Sequence, residues 1–104
     1  LVVSMANPRH AHEYRCFERH PLPPGMLLVA GVIDTTTNYV EHPEVVAERI
    51  VRSAEAVGDP RRVMAGTDCG FDTSAGIGDI APSVVWEKLR ALRAGADLAT
   101  SRMW

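Results

Sequence analysis

The chain has 104 residues, 46% of them apolar and 23% charged, with a formal net charge of −2. That balance belongs to a folding globular sequence and excludes disordered, collagenous and strongly charged classes. Eleven basic against thirteen acidic residues leave no electrostatic footprint for nucleic acid. No apolar run approaches the ~18 residues of a membrane span. Two cysteines, Cys16 and Cys69, cannot build a disulfide framework, and there is no Asn-X-Ser/Thr acceptor. Together with the lack of a signal-peptide pattern, this points to a reducing cytoplasmic setting.

The opening Leu1-Val2-Val3 has no polar lead-in and reads as a chain entered within a strand. Three segments read as strands buried on both faces: Leu1 to Ala6, Met26 to Ile33, and Arg62 to Gly66. Their apolar runs do not alternate with polar residues, which is the habit of parallel sheets covered by helices. His10 to Glu18 suits a short helix that the prolines of Pro21-Leu22-Pro23-Pro24-Gly25 forbid to continue. Pro43 marks the first residue of a longer helix, with His42 in the N-cap region and Glu44 in the first turn. Val46, Ile50, Ala54 and Val57 form its apolar face, and Gly58 ends it. The last helix starts at Pro82, with Val85, Leu89, Leu92, Ala96 and Ala99 as its apolar face. Glu87, Lys88, Arg90 and Arg93 make up its polar one, and Gly95 weakens its end.

The order is therefore strand, short helix, strand, helix, strand, helix. Strand starts near 1, 26 and 62 lie about 30 residues apart on average. A (β/α)8 barrel uses ~31 residues per unit, so the chain suits about three units of eight, or a small doubly wound sheet. Left alone, such a piece would expose an unpaired strand edge and apolar helix faces, which predicts self-association.

Function in parallel architectures sits beyond the C-terminal ends of the strands, and here those ends carry the chemistry-bearing residues. Strand one leads into Asn7-Pro8-Arg9-His10-Ala11-His12-Glu13, strand two into Asp34-Thr35-Thr36-Thr37-Asn38 and Glu41-His42, and strand three into Thr67-Asp68-Cys69-Gly70. The helix-to-strand turns carry little beyond turn formers. Cys69 is open to three readings: nucleophile, soft metal ligand, or small buried hydrophobe. Cys16, among Tyr14, Arg15 and Phe17, reads as packing. His10 and His12 are too close for the i, i+4 zinc pattern, so they read either as ligands on an extended segment or as a polar loop. Asp34 can accept from a substrate ammonium or cap its own turn. Gly70, Gly76 and Gly78 match no phosphate loop and suit a flexible lid over the strand ends.

Three blocks carry a resemblance to a known family. They are Ala6-Asn7-Pro8-Arg9-His10-Ala11-His12-Glu13, Gly31-Val32-Ile33-Asp34-Thr35-Thr36-Thr37-Asn38-Tyr39-Val40-Glu41-His42-Pro43-Glu44, and Ala65-Gly66-Thr67-Asp68-Cys69-Gly70-Phe71. Together they resemble the C-terminal catalytic barrel of cobalamin-independent methionine synthase, and its shorter relatives among zinc-dependent thiol alkyltransferases, such as the epoxyalkane–coenzyme M transferases. The resemblance implies an α/β fold, the C-terminal part (about three βα units) of a single (β/α)8 TIM-barrel catalytic domain spanning residues 1–104. It implies a Zn2+-dependent methyltransferase of methionine biosynthesis, a 5-methyltetrahydropteroyltriglutamate–homocysteine S-methyltransferase, with the zinc keeping a homocysteine-like acceptor as thiolate and a folate-like molecule as methyl donor. A related zinc alkyltransferase, or a zinc-free barrel with a binding role, are the alternatives.

By the same resemblance Cys69 matches a zinc ligand, and Asp34, Asn38, Asp68, Arg9 and His10 line the substrate site. The family's His-X-Cys pair has no counterpart in these residues. Two positions depart from the family. Ser4 stands where a Glu ligand belongs, and Thr36 where methionine synthases place a proton-donating His; Thr is no general acid near neutral pH.

Overall fold

A computed structural model describes residues 1–71 and 80–104. Three parallel strands form one sheet in the order β1 (Val2–Ser4), β2 (Leu28–Ile33), β3 (Val63–Thr67). A 3-10 turn at Glu13–Arg15 leads into the one-turn helix α1 (Cys16–Arg19), and α2 (Pro43–Val57) and α3 (Pro82–Met103) follow β2 and β3. Strands β1 and β2 are shorter than the apolar runs that announce them, and β3 lies one residue later than its run. Pro24 and Gly25, the latter at φ 79°, make a turn closed by the Met26 N–H on the Pro23 carbonyl at 3.1 Å, and the ladder begins only at Leu28.

Only β2 is sandwiched as expected, with Leu28, Ala30, Val32 and Ile33 fully buried. In β1 and β3 the expectation of burial on both faces fails. Val2 and Met64 stay more than half exposed; both pair in register with Val29, so all three lie on one face of the sheet, which the described residues leave partly uncovered. The core gathers Met5 and Leu22 with the β2 side chains, Val46, Ala47 and Ile50 of α2, and Ala99 of α3.

Helix α2 has the ends its sequence promises. The His42 ring accepts from the Glu44 N–H at 3.0 Å, Pro43 opens the first turn, and Gly58 at φ 89° closes the last. Its Arg52 reaches the segment after β1, donating to the Ala11 carbonyl at 3.2 Å and stacking 4.6 Å from the Tyr14 ring centroid. The expected helix over His10 to Glu18 is instead a run of tight turns with α1 at its end. The side chain of Cys16, read as packing, is exposed.

Helix α3 begins at Pro82 as expected, but the face it buries is displaced. Its buried residues are Lys88, Ala91, Gly95 and Ala99. Gly95 is the point of closest approach to α2: a Cβ there would lie 2.4 Å from Val46 Cβ and 3.0 Å from the Pro43 carbonyl oxygen. What looked like a weak spot in the helix is the crossing that lets two helices pack. Lys88, assigned to the polar face, is wholly enclosed. Its place midway between Val85 and Leu92 marks it as a member of the apolar stripe, and a lysine there has to be paired.

One irregularity shapes the open end of the sheet. Between Gly31 and Ile33 the pairing with β3 slips, so β2 carries Val32 as an extra residue. The Val32 carbonyl takes a 3.0 Å hydrogen bond from Arg49 of α2 instead of a ladder partner. Such a bulge re-aims the residues that follow it, here Asp34 and its loop.

Candidate functional site

The C-terminal ends of the three strands hold two polar clusters. The first is built on Asp68, immediately after β3, whose N–H extends the ladder to the Ile33 carbonyl at 2.8 Å. Asp68 Oδ1 accepts from the N–H groups of Met5 and Ala6 at 3.0 and 2.9 Å. Oδ2 accepts from the Asn7 N–H and the Asn7 side-chain amide, both at 2.9 Å. A carboxylate has about four acceptor positions, so this one is filled by the segment leaving β1. The close approach needs Gly31, where a Cβ would stand 2.5 Å from Asp68 Oδ1 and 3.1 Å from the Ser4 Cα.

Asn7 in turn organises Arg9 and His10. Its Oδ1 accepts from their N–H groups at 3.1 and 3.2 Å, forming a local Asx turn. The His10 ring meets Glu13 at 2.7 Å, with both side chains about two-fifths exposed. The two groups face each other within one turn of the loop.

Cys69 is exposed. Its Sγ lies 3.8 Å from the Oγ of Ser4, which donates to the Asp68 carbonyl at 2.7 Å. The thiol therefore stands at the mouth formed by the ends of β1 and β3, and the reading of Cys69 as a small buried hydrophobe is excluded. Two ligands of one tetrahedral zinc sit about 3.5 Å apart, so the separation from Ser4 suits neighbouring ligands. A serine hydroxyl is nevertheless a poor zinc donor. No third His, Cys, Asp or Glu gathers with others into a metal-holding group among the described residues. These residues supply one zinc-competent donor, Cys69, not a complete site.

The second cluster surrounds Asp34, which is buried. Its Oδ1 accepts from the N–H and the hydroxyl of Thr36 at 2.9 and 2.7 Å, the local cap the sequence allows. Oδ2 has no donor among the described residues. The Asp34 N–H donates to Glu41 Oε2 at 2.8 Å, and Glu41 Oε1 meets Lys88 Nζ at 2.9 Å. That ion pair is enclosed on both sides, and the ammonium lies 4.9 Å from the Tyr39 ring centroid. Asn38 Oδ1 accepts from the Ala81 N–H, just ahead of α3, at 3.0 Å.

The sequence placed Asp34, Asn38, Asp68, Cys69, Arg9 and His10 at one end of the sheet, but did not anticipate the Glu41–Lys88 pair. The lid expected around Gly70, Gly76 and Gly78 falls largely on residues 72–79, outside the described residues.

Comparison with known protein families finds none that matches the chain, and comparison with curated proteins finds no match either. Among solved structures, the B12-independent methionine synthase from Shewanella sp. W3-18-1, determined in complex with selenomethionine, is similar with a TM-score of 0.74 and 24% identity. The match covers 98% of this chain and 27% of that one, so the chain spans about a quarter of the length of the enzyme it resembles. The likeness is one of fold: an α/β arrangement with a three-stranded parallel sheet, matching part of a TIM-barrel enzyme.

Proposed function

We propose that residues 1–104 are the C-terminal part of one (β/α)8 catalytic domain, in a zinc-dependent transferase that moves a methyl or alkyl group onto a thiol. The observation that carries this reading is the exposed Cys69 thiol at the end of β3, 3.8 Å from Ser4 at the end of β1. The family resemblance assigns a zinc ligand to each of these two positions. That they are neighbours across the sheet is what such an assignment requires.

In this reading Cys69 is the chain's ligand, and further ligands come from outside these residues. A zinc ion held there supplies thiolate character to an acceptor thiol at neutral pH. The remaining roles belong to the chain itself. Asp34 offers its Oδ2 to the ammonium of a homocysteine-like acceptor, with Asn38 beside it. Asp68, its acceptor positions filled from within, holds the end of β1 in place instead of touching the substrate. Arg9 and His10 ride on the loop that Asp68 and Asn7 fix, at the rim.

Thr36 bears on the choice of donor. Its hydroxyl is committed to Asp34 and is no acid near neutral pH. This favours an alkyl-group donor that needs no protonation there, as in the related thiol alkyltransferases, over a folate.

Zinc content of the full-length protein, wild type against Cys69→Ser, tests the assignment together with thiol-alkyl transfer. The reading expects zinc and transfer to be lost together. Equal zinc in both proteins removes Cys69 as ligand, and zinc lost with transfer retained removes the mechanism.

A further inference from the structure

We propose that Lys88 is a positioning residue for substrate recognition. Through Glu41 it sets the location of the Asp34 carboxylate, and so discriminates thiols that carry an α-ammonium from those that do not. The inference rests on the preceding reading of Asp34 as an ammonium acceptor.

Three separate segments meet in the pair: Asp34 follows β2, Glu41 precedes α2, and Lys88 lies in the second turn of α3. Glu41 bridges them, one oxygen on the Asp34 N–H and the other on the Lys88 ammonium. Both charged side chains are at most 1% exposed. An ion pair so enclosed contributes little net stability over apolar residues of the same size, because both charges lose their water. Its consequence is geometric. Glu41 fixes the backbone of Asp34, and Thr36 fixes Oδ1 from the other side, so the direction of the remaining oxygen is determined at two points. The Asn38–Ala81 hydrogen bond ties the same loop to the start of α3 a second time. With Lys88 gone, Glu41 loses the partner that holds it against Asp34.

The test measures binding of L-homocysteine and of 4-mercaptobutanoate, its analogue without the amino group, to the full-length protein by calorimetry. A charge-assisted hydrogen bond contributes about 10- to 100-fold in affinity. Asp34→Asn is therefore expected to weaken homocysteine by that factor and leave 4-mercaptobutanoate within about twofold. Lys88→Met leaves a buried unpaired carboxylate and risks the fold, so the decisive protein is Lys88→Met/Glu41→Gln, which buries no charge at the pair. It is expected to unfold near the wild-type temperature yet bind homocysteine about tenfold more weakly, with 4-mercaptobutanoate unchanged. If Asp34→Asn is selective while the double variant binds both thiols normally, or weakens both equally, the positioning role is overturned and the Asp34 reading survives. If Asp34→Asn itself shows no selectivity, the ammonium contact fails and this inference fails with it.

Discussion

Replacing Asp68 probes how the end of β1 is held. In Asp68→Ala four donors lose their acceptor. Met5 N–H keeps a second partner, the Gly31 carbonyl at 3.1 Å, and the partly exposed Asn7 can turn to water. Ala6 is buried and its N–H has no other acceptor among the described residues. One fully orphaned buried donor costs about 1–3 kcal/mol, and the other lost bonds to a charged acceptor add about 1 kcal/mol each after water compensates. The expected loss is about 4–6 kcal/mol. Asp68→Asn separates acceptor chemistry from volume. Its oxygen can still take Met5 and Ala6, but its NH2 then faces two donors of Asn7, so about 2 kcal/mol should be lost with the shape unchanged.

Urea unfolding of the full-length protein, followed by the midpoint at constant slope, reads both changes. A neutral Asp68→Asn would refute the four-donor arrangement. A loss from Asp68→Ala no larger than that from Asp68→Asn would show that the Oδ1 bonds to Met5 and Ala6 contribute nothing at this position.

Gly95→Ala sets helix propensity against packing. Alanine favours the helix by about 1 kcal/mol, while a Cβ 2.4 Å from Val46 forces an overpacking cost of about 1–3 kcal/mol. A lower urea midpoint is expected, partly restored by adding Val46→Ala, and a gain in stability would refute the close crossing of α2 and α3. At the same helix pair, a hydrogen bond from Arg102, and then its charge, hold the Glu44 carboxyl below its ordinary value. A carboxyl lowered in the folded state adds stability above its unfolded pKa and loses it as pH falls through the folded value. The midpoint difference between wild type and Arg102→Ala should accordingly be present at pH 7, shrink on acidification below about pH 4.5, and shrink with added salt, since both groups face solvent.

The signals that could be read along the chain were those that depend on neighbours in sequence. Pro43, His42 and Gly58 announced α2 because caps are local, and three uninterrupted apolar runs announced the strands. What escaped depends on partners far along the chain. Lys88 was assigned to solvent by its charge, although its spacing from Val85 and Leu92 put it in the apolar stripe; its partner Glu41 is 47 residues away. Gly95 looked like a defect because propensity is counted along one helix, and Val46 lies on another. Burial of β1 and β3 was overestimated for a related reason: an apolar run says that a strand can be covered, not which neighbours cover it.

The concentration of polar residues at one end of the sheet also turns out to mean two things. Asp68, Asn7, Glu41 and Lys88 are there because strand ends in a parallel sheet leave backbone donors unpaired and loops that have to be tied down. Cys69 and the second oxygen of Asp34 are different, since nothing in the described fold requires the thiol to be exposed or that oxygen to lack a donor. Polar residues whose hydrogen-bonding capacity is filled shape a site, and those with capacity left over are the ones to test for chemistry. By that criterion Asp68, the most saturated carboxylate of the mouth, belongs to its framework, and Cys69 and Asp34 are where a ligand would be met.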